Sequence, residues 1–191
     1  MNAPEATPAQ PAGAAVSVPL ARSLSMVYSE KEDRLLLTLG AKDVRLRLLV
    51  TRRLAGGLIN TLANLLAKTS PGAQQVSQDV RESMVLFEHH DAVQAAARQK
   101  AAAGAKARAD AAEQPKLLAP VLLAAVDINQ KGERFTLIFK GPQQALAAFQ
   151  ASRLELHQVL DLLRSKTVSA GWALSIDAGW LDAGAAKLRM N

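Results

Sequence analysis

The chain contains no cysteine. Disulfides, thiolate metal sites and a cysteine nucleophile are therefore excluded, and nothing argues for an oxidising compartment. Aromatic residues make up only 4% of the chain, and much of its 49% hydrophobic content is alanine. The core must be built from Leu and Val with a few Phe. That suffices, because one buried Leu contributes roughly 1.5–3 kcal/mol. Ahead of Arg22 there is neither a basic residue nor a continuous apolar run, so the N-terminus does not read as a secretory signal. No window approaches the roughly 18 apolar residues of a membrane span. The patterns Gly-x-x-x-x-Gly-Lys-Ser/Thr and Gly-x-Gly-x-x-Gly are missing too, which removes the nucleotide folds they mark. The expectation is a cytoplasmic protein with no membrane partner.

What the sequence does contain is a pattern written twice. Asp33-Arg34-Leu35-Leu36-Leu37-Thr38-Leu39 is echoed by Glu133-Arg134-Phe135-Thr136-Leu137-Ile138-Phe139. Thr51-Arg52 opens a Leu-rich helical stretch, and Ser152-Arg153 opens another. The fold class expected is α+β, with duplicated β-β-α units whose antiparallel sheets are each covered on one face by helices. Four segments follow: a disordered tail over 1–21, a first β-β-β-α-α unit over 22–98, an Ala-rich linker or helical extension over 99–115, and a second β-β-β-α unit with a Trp-bearing end over 116–191.

Local signals support this division. Leu24, Met26 and Tyr28 alternate with Ser25, Val27 and Ser29, and Arg45 and Arg47 alternate with Leu46 and Leu48, as in half-buried strands. Leu36 and Leu37 make the next strand apolar on both faces. Leu54, Leu58, Leu62, Leu65 and Leu66 form a helical stripe that Pro71-Gly72 ends. Thr51 is a reasonable N-cap, and Ser152-Arg153-Leu154-Glu155 is a capping box. Val76, Val80, Met84 and Phe87 mark a second helical stretch. Gly104 to Asp110 has helix propensity but no large apolar face, which favours a frayed linker over a helix. Pro120 points to an edge position or to a strand that begins after it. Ala145–Phe149 reads as a short strand, and Ala170-Gly171-Trp172-Ala173-Leu174 as a final one.

The net charge is +6, unevenly spread. Between Arg22 and Lys68 nine Lys/Arg face four Asp/Glu, and between Lys116 and Asn191 nine face six. The stretch 75–115 has five against six. Positive charge thus sits on the two repeated segments, which raises the expectation of an anionic partner.

The run Val27-Tyr28-Ser29-Glu30-Lys31-Glu32-Asp33-Arg34-Leu35-Leu36-Leu37, followed by Thr51-Arg52-Arg53 at a strand-to-helix junction, resembles an uncharacterised bacterial protein family over residues 24–175. The resemblance implies no activity. In architecture alone, repeated sheet-plus-helix units are similar to Whirly-type single-strand binders, although no sequence motif of those proteins is present.

Candidate binding residues follow from charge. Arg52 and Arg53 at a helix N-terminus would hold a phosphate with the free amides, or else be solvated or paired with Glu30, Glu32 or Asp33. Arg45 and Arg47, with Lys42 and Lys140, would line a basic sheet face, and Arg153 repeats the helix-start position. Base stacking on such a face also needs aromatics. The strands offer Tyr28, Phe135, Phe139 and Phe149, each of which is equally suited to a core. Trp172 and Trp180 sit in matching Ala-Gly-Trp triplets and are candidate partner anchors or core closures. His89-His90 are adjacent and His157 stands alone, so no metal site is expected, nor any cofactor or catalytic residue. The resulting expectation is a non-enzymatic binding module. Its first reading is single-stranded nucleic acid bound with little sequence preference. Its alternative is a protein partner or homo-oligomer docked through the 75–110 helix or the Trp-bearing end.

Overall fold

The computed structural model describes residues 18–72, 75–106 and 116–181. Alternation builds the strands of the first unit: β1 (Leu20–Ala21), β2 (Ser23–Ser29), β3 (Arg34–Ala41) and β4 (Val44–Val50). Met26, Leu37 and Leu48 lie side by side across β2, β3 and β4, and all three are buried. Two helices follow, α1 (Arg52–Lys68) and α2 (Gln78–Lys106). The second unit comprises β5 (Lys116–Leu117), β6 (Val121–Leu122), β7 (Ala125–Lys131), β8 (Arg134–Lys140), β9 (Ala145–Ser152) and α3 (Arg153–Ser169). Here Ile128, Leu137 and Phe149 form the equivalent inward row. The order of three antiparallel strands and a helix occurs twice. The long α2 follows only the first helix.

Both helix starts form as the sequence indicates. Thr51 Oγ1 accepts from Leu54 N at 3.3 Å. At α3, Glu155 Oε2 accepts from Ser152 N at 2.7 Å while Ser152 Oγ accepts from Glu155 N at 3.3 Å. Ile59, Leu62 and Leu66 of α1 and Leu156, Leu160 and Leu163 of α3 are buried in one core cluster with the inward faces of both sheets. Helix α3 packs against α1, α2 and β2 as well as against its own strands.

The sheets exchange strands. β1 precedes the first sheet but pairs in parallel with β9 of the second. β5 and β6 precede the second sheet but pair in parallel with β4 of the first. The chain changes sheet at Arg22, whose N–H already donates to Gly40 O at 2.8 Å. It changes again at Leu123-Ala124, where Leu123 N donates to Leu49 O at 2.9 Å and Ala124 N donates to Lys140 O at 2.8 Å. Each sheet is therefore mixed rather than purely antiparallel, and each is completed by the other unit.

Other expectations are also amended. Of the tail expected over 1–21, residues 1–17 lie outside the described residues, whereas Leu20–Ala21 are a paired strand. Helix α2 continues to Lys106, into the stretch read as a frayed linker, and 107–115 lie outside the described residues. β9 is longer than expected and runs straight into α3. Pro120 falls between β5 and β6, where no ladder bond needs its missing N–H. The final strand expected at 170–174 does not form. Residues 172–178 instead run over α1 without regular pairing: Arg52 Nη2 donates to Ala173 O at 2.8 Å, and Asn60 Nδ2 donates to Ser175 O at 3.3 Å.

Candidate binding face on the first sheet

The helices cover the inward face of the first sheet, and register fixes what remains on the other. Val27, Leu36, Leu49 and Leu122 are consecutive partners across β2, β3, β4 and β6. They form an apolar row whose ends stay open, Val27 at 54% and Leu122 at 42% exposure. Beside it runs Ser25, Thr38 and Arg47, and beyond that Ser23, Gly40, Arg45 and the exposed Leu117. Arg34 sits at the hairpin end, 3.9 Å from Glu32 with both side chains well exposed, a weak pair. No Asp or Glu projects from these strands onto this face. The ionic groups its strands contribute are all guanidiniums.

The matching face of the second sheet is different. Asn129, Thr136 and Gln150 cross its centre. Lys140 is paired with Asp127 on the same face. Lys131 and Arg134 are confined to the hairpin end. The basic, partly apolar character belongs to one sheet, not to both.

The candidate arginines do not converge. Arg45 is exposed on the first face, and Arg47 is half-buried there, its Nε donating to Leu118 O at 3.0 Å. Arg52 and Arg53 begin α1 at the far end of β4, seven residues on from Arg45 and so about 20 Å along the strand direction. Arg52 is bonded to Ala173 O, while Arg53 is exposed. Arg153 is internal. Its Nε and Nη2 donate to Glu88 Oε2 at 2.8 and 2.6 Å, its Nη1 to Thr69 Oγ1 at 2.8 Å, and its Nη2 also to Leu66 O at 2.7 Å. One side chain thus ties the start of α3 to the end of α1 and the middle of α2.

Among the described residues, neither open face carries the aromatic platform. Phe135, Phe139 and Phe149 are buried in the core. Tyr28 packs edge-on against Trp172, with ring centroids 6.0 Å apart. Asp33, in the left-handed region at φ 44°, accepts from Trp172 Nε1 at 3.0 Å and from Tyr28 OH at 2.8 Å. Those two bonds, first Trp172 and then Tyr28, hold the Asp33 carboxyl below its ordinary value. Trp172 and Trp180 are both buried, at 7% and 3% exposure. As the chain lies, they close the core and offer no surface to a partner.

His157 does not stand alone, contrary to the expectation from sequence. Its ring lies 5.5 Å from that of His89, and Trp180 stands edge-on to both, at 6.3 Å from His157 and 5.6 Å from His89. Burial pushes both imidazoles down to about 4. His89 Nε2 is 3.9 Å from Asp161 Oδ1, but a neutral ring at that distance is not an ion pair. Burial also pushes the Glu88 carboxyl up, and hydrogen bonds from Arg153 and Ser70 outweigh it, so the net displacement is downward. Among the described residues no group of three or more His, Asp or Glu side chains is arranged to hold a metal ion. Nor is any helix there long and apolar enough to cross a membrane. Sequence reasoning missed this cluster because its members lie on α2, α3 and the C-terminal segment. The one available signal was Glu88 directly before His89, on the turn that faces α3.

No protein-family profile, no curated protein and no solved structure matches this chain.

Proposed function

We propose that this chain is a non-enzymatic, cytoplasmic binding module that docks an acidic, partly apolar segment of a protein partner on the open face of its first sheet. One observation carries the reading: the apolar row of Val27, Leu36, Leu49 and Leu122 is bordered by Arg34, Arg45 and Arg47, with no carboxylate projecting from the strands. Apolar side chains of a partner would displace water from the row, and its carboxylates would meet the guanidiniums. Glu88, Arg153 and His157 are taken up in joining helices, which supports a structural rather than a chemical use for them.

Bound single-stranded nucleic acid is the second reading, favoured by the same absence of carboxylates and by the exposed Arg45 and Arg53. It is weakened by the burial of every Phe offered for stacking.

The two readings separate in one experiment. A photo-crosslinking residue placed at Val27 in the full chain, inside the host cell, should capture a protein. The same residue at Gln150, on the second sheet, should not. In parallel, fluorescence anisotropy with a labelled single-stranded oligonucleotide should show weak or no binding at low salt. Tight binding that falls steeply as salt rises would favour nucleic acid, because each phosphate contact releases counterions. Equal capture from both positions would remove the first-sheet assignment.

A further inference from the structure

The exchange of strands leaves a cleft where the chain passes from one sheet to the other. It holds about 400 Å³ between the first crossing segment, the adjoining ends of β3, β4 and β9, and Leu118. Leu39, Leu46, Leu118 and Leu146 line it, and Leu39 is buried. The charged side chains that line it are Arg22 and Lys42, and no carboxylate is among its lining residues.

We infer that this cleft binds a single aliphatic chain ending in a carboxylate, with the chain among the leucines and the head at Arg22 and Lys42. The volume falls within the roughly 300–1,000 Å³ of small-molecule sites, and so does the make-up, mostly apolar walls with few polar groups. Leu20 also lines the cleft yet is 51% exposed, so apolar surface there is left open to an occupant. Lys42 adds a second observation. It sits at φ 43° in the two-residue turn between β3 and β4, a left-handed conformation in which Gly or Asn is easier. A lysine held there against its backbone preference is consistent with use of its charge. The partner's polarity follows: two cations without a carboxylate favour an anionic head and oppose a cationic one. This site lies apart from the open face of the first sheet and does not depend on that reading.

The test is calorimetric titration of the full chain with dodecanoate, decanoate, dodecanol and dodecyltrimethylammonium, each below its aggregation concentration. Dodecanoate should bind once and saturably. Decanoate should bind about 15-fold more weakly, at about fourfold per methylene. Dodecanol and the ammonium compound should bind at least tenfold more weakly than dodecanoate. The double variant Arg22→Ser with Lys42→Gly keeps the turn, since Gly suits its backbone, and should cost dodecanoate at least tenfold while leaving dodecanol unchanged. Leu20→Trp, at a half-exposed position, should fill the cleft and abolish binding. Equal binding of the acid and the ammonium compound, several sites per chain, or dodecanoate binding unmoved by either variant would overturn the inference.

Discussion

Acidification offers the most direct test of the interior between α2 and α3. His89 and His157 are buried with their rings 5.5 Å apart, and each is lowered from about 6.5 to about 4. Burial is the largest cause for both. His157, His90 and Arg164 add repulsion at His89. Arg153 adds it at His157, where Glu88 pulls the other way. The folded chain thus resists protonation of groups that the unfolded chain protonates readily. Between pH 6.5 and pH 4 the unfolded state binds more protons, so stability must fall as the pH falls through that window. Well above 6.5 both states hold neutral rings and the slope vanishes. Lowering one imidazole from about 6.5 to about 4 corresponds to about 3 kcal/mol, and because the two rings repel one another their contributions do not simply add. Even one is a large fraction of the stability of an ordinary domain, about 5–15 kcal/mol. Two neighbours act on the same range with opposite signs. The Asp161 carboxyl is raised by burial and so gains stability as the pH falls through its folded value. Glu88 is lowered and loses stability only below the ordinary carboxylate range. As the pH falls from 6.5 the histidines lower the stability, and Asp161 opposes them. Urea denaturation followed by the fluorescence of Trp172 and Trp180 at a series of pH values should show a flat midpoint above 7 and a steep decline from 6.5 downward. His157→Gln should roughly halve the slope. A midpoint constant from pH 7 to 5 would refute the argument.

Two further outcomes follow from the same contacts. Arg153→Ala leaves Glu88 partly buried without its main donor and should cost about 1–3 kcal/mol in chemical denaturation, with part restored when Glu88→Gln is added; unchanged stability would show that Arg153 is not the clamp described. Trp172→Phe keeps a ring in the core but removes the donor to Asp33, so in a carboxyl NMR titration the Asp33 midpoint should rise and the Tyr28 hydroxyl should stay displaced upward by its own bond to Asp33.

The strands and helix starts were legible because each rests on neighbours in the chain. Leu46 against Arg45 and Arg47 shows a strand with one wet face, and Ser152 with Glu155 shows a cap, whatever else surrounds them. The strand exchange was not legible. Leu20-Ala21 and Lys116-Leu117 are too short to carry a period, and their pairing is decided by which sheet edge is free. The α2 extension was misjudged for a related reason. Ala-rich sequence without an apolar stripe gives no packing signal, yet alanine has the best intrinsic helix propensity. The candidate site was legible only in part. Alternation placed Arg45 and Arg47 on one face, but the apolar row beside them needs the register of four strands, one of them borrowed from the other unit.

The same exchange explains why charge alone misdirected the reading of the arginines. A basic residue follows the N-cap of both α1 and α3, where the helix dipole makes a cation unfavourable, so each needs an acceptor from elsewhere. Arg153, at the start of α3, finds Leu66 O, Thr69 and Glu88, which lie at the end of α1 and on the helix that follows it. Arg52, at the start of α1, finds Ala173 O, in the segment that follows α3. Each first-turn arginine therefore fastens what comes after the other unit's helix, just as each leading strand completes the other unit's sheet. The recurrence of Thr51-Arg52 in Ser152-Arg153 is accounted for by this reciprocal fastening without invoking a ligand. In β9 the positions corresponding to Arg45 and Arg47 are taken by Ala145 and Ala148. Arg47 Nε is itself bonded to Leu118 O, so the exposed Arg45 is the part of that face's charge that assembly of the fold leaves unexplained, which is why the open face of the first sheet carries the binding proposal.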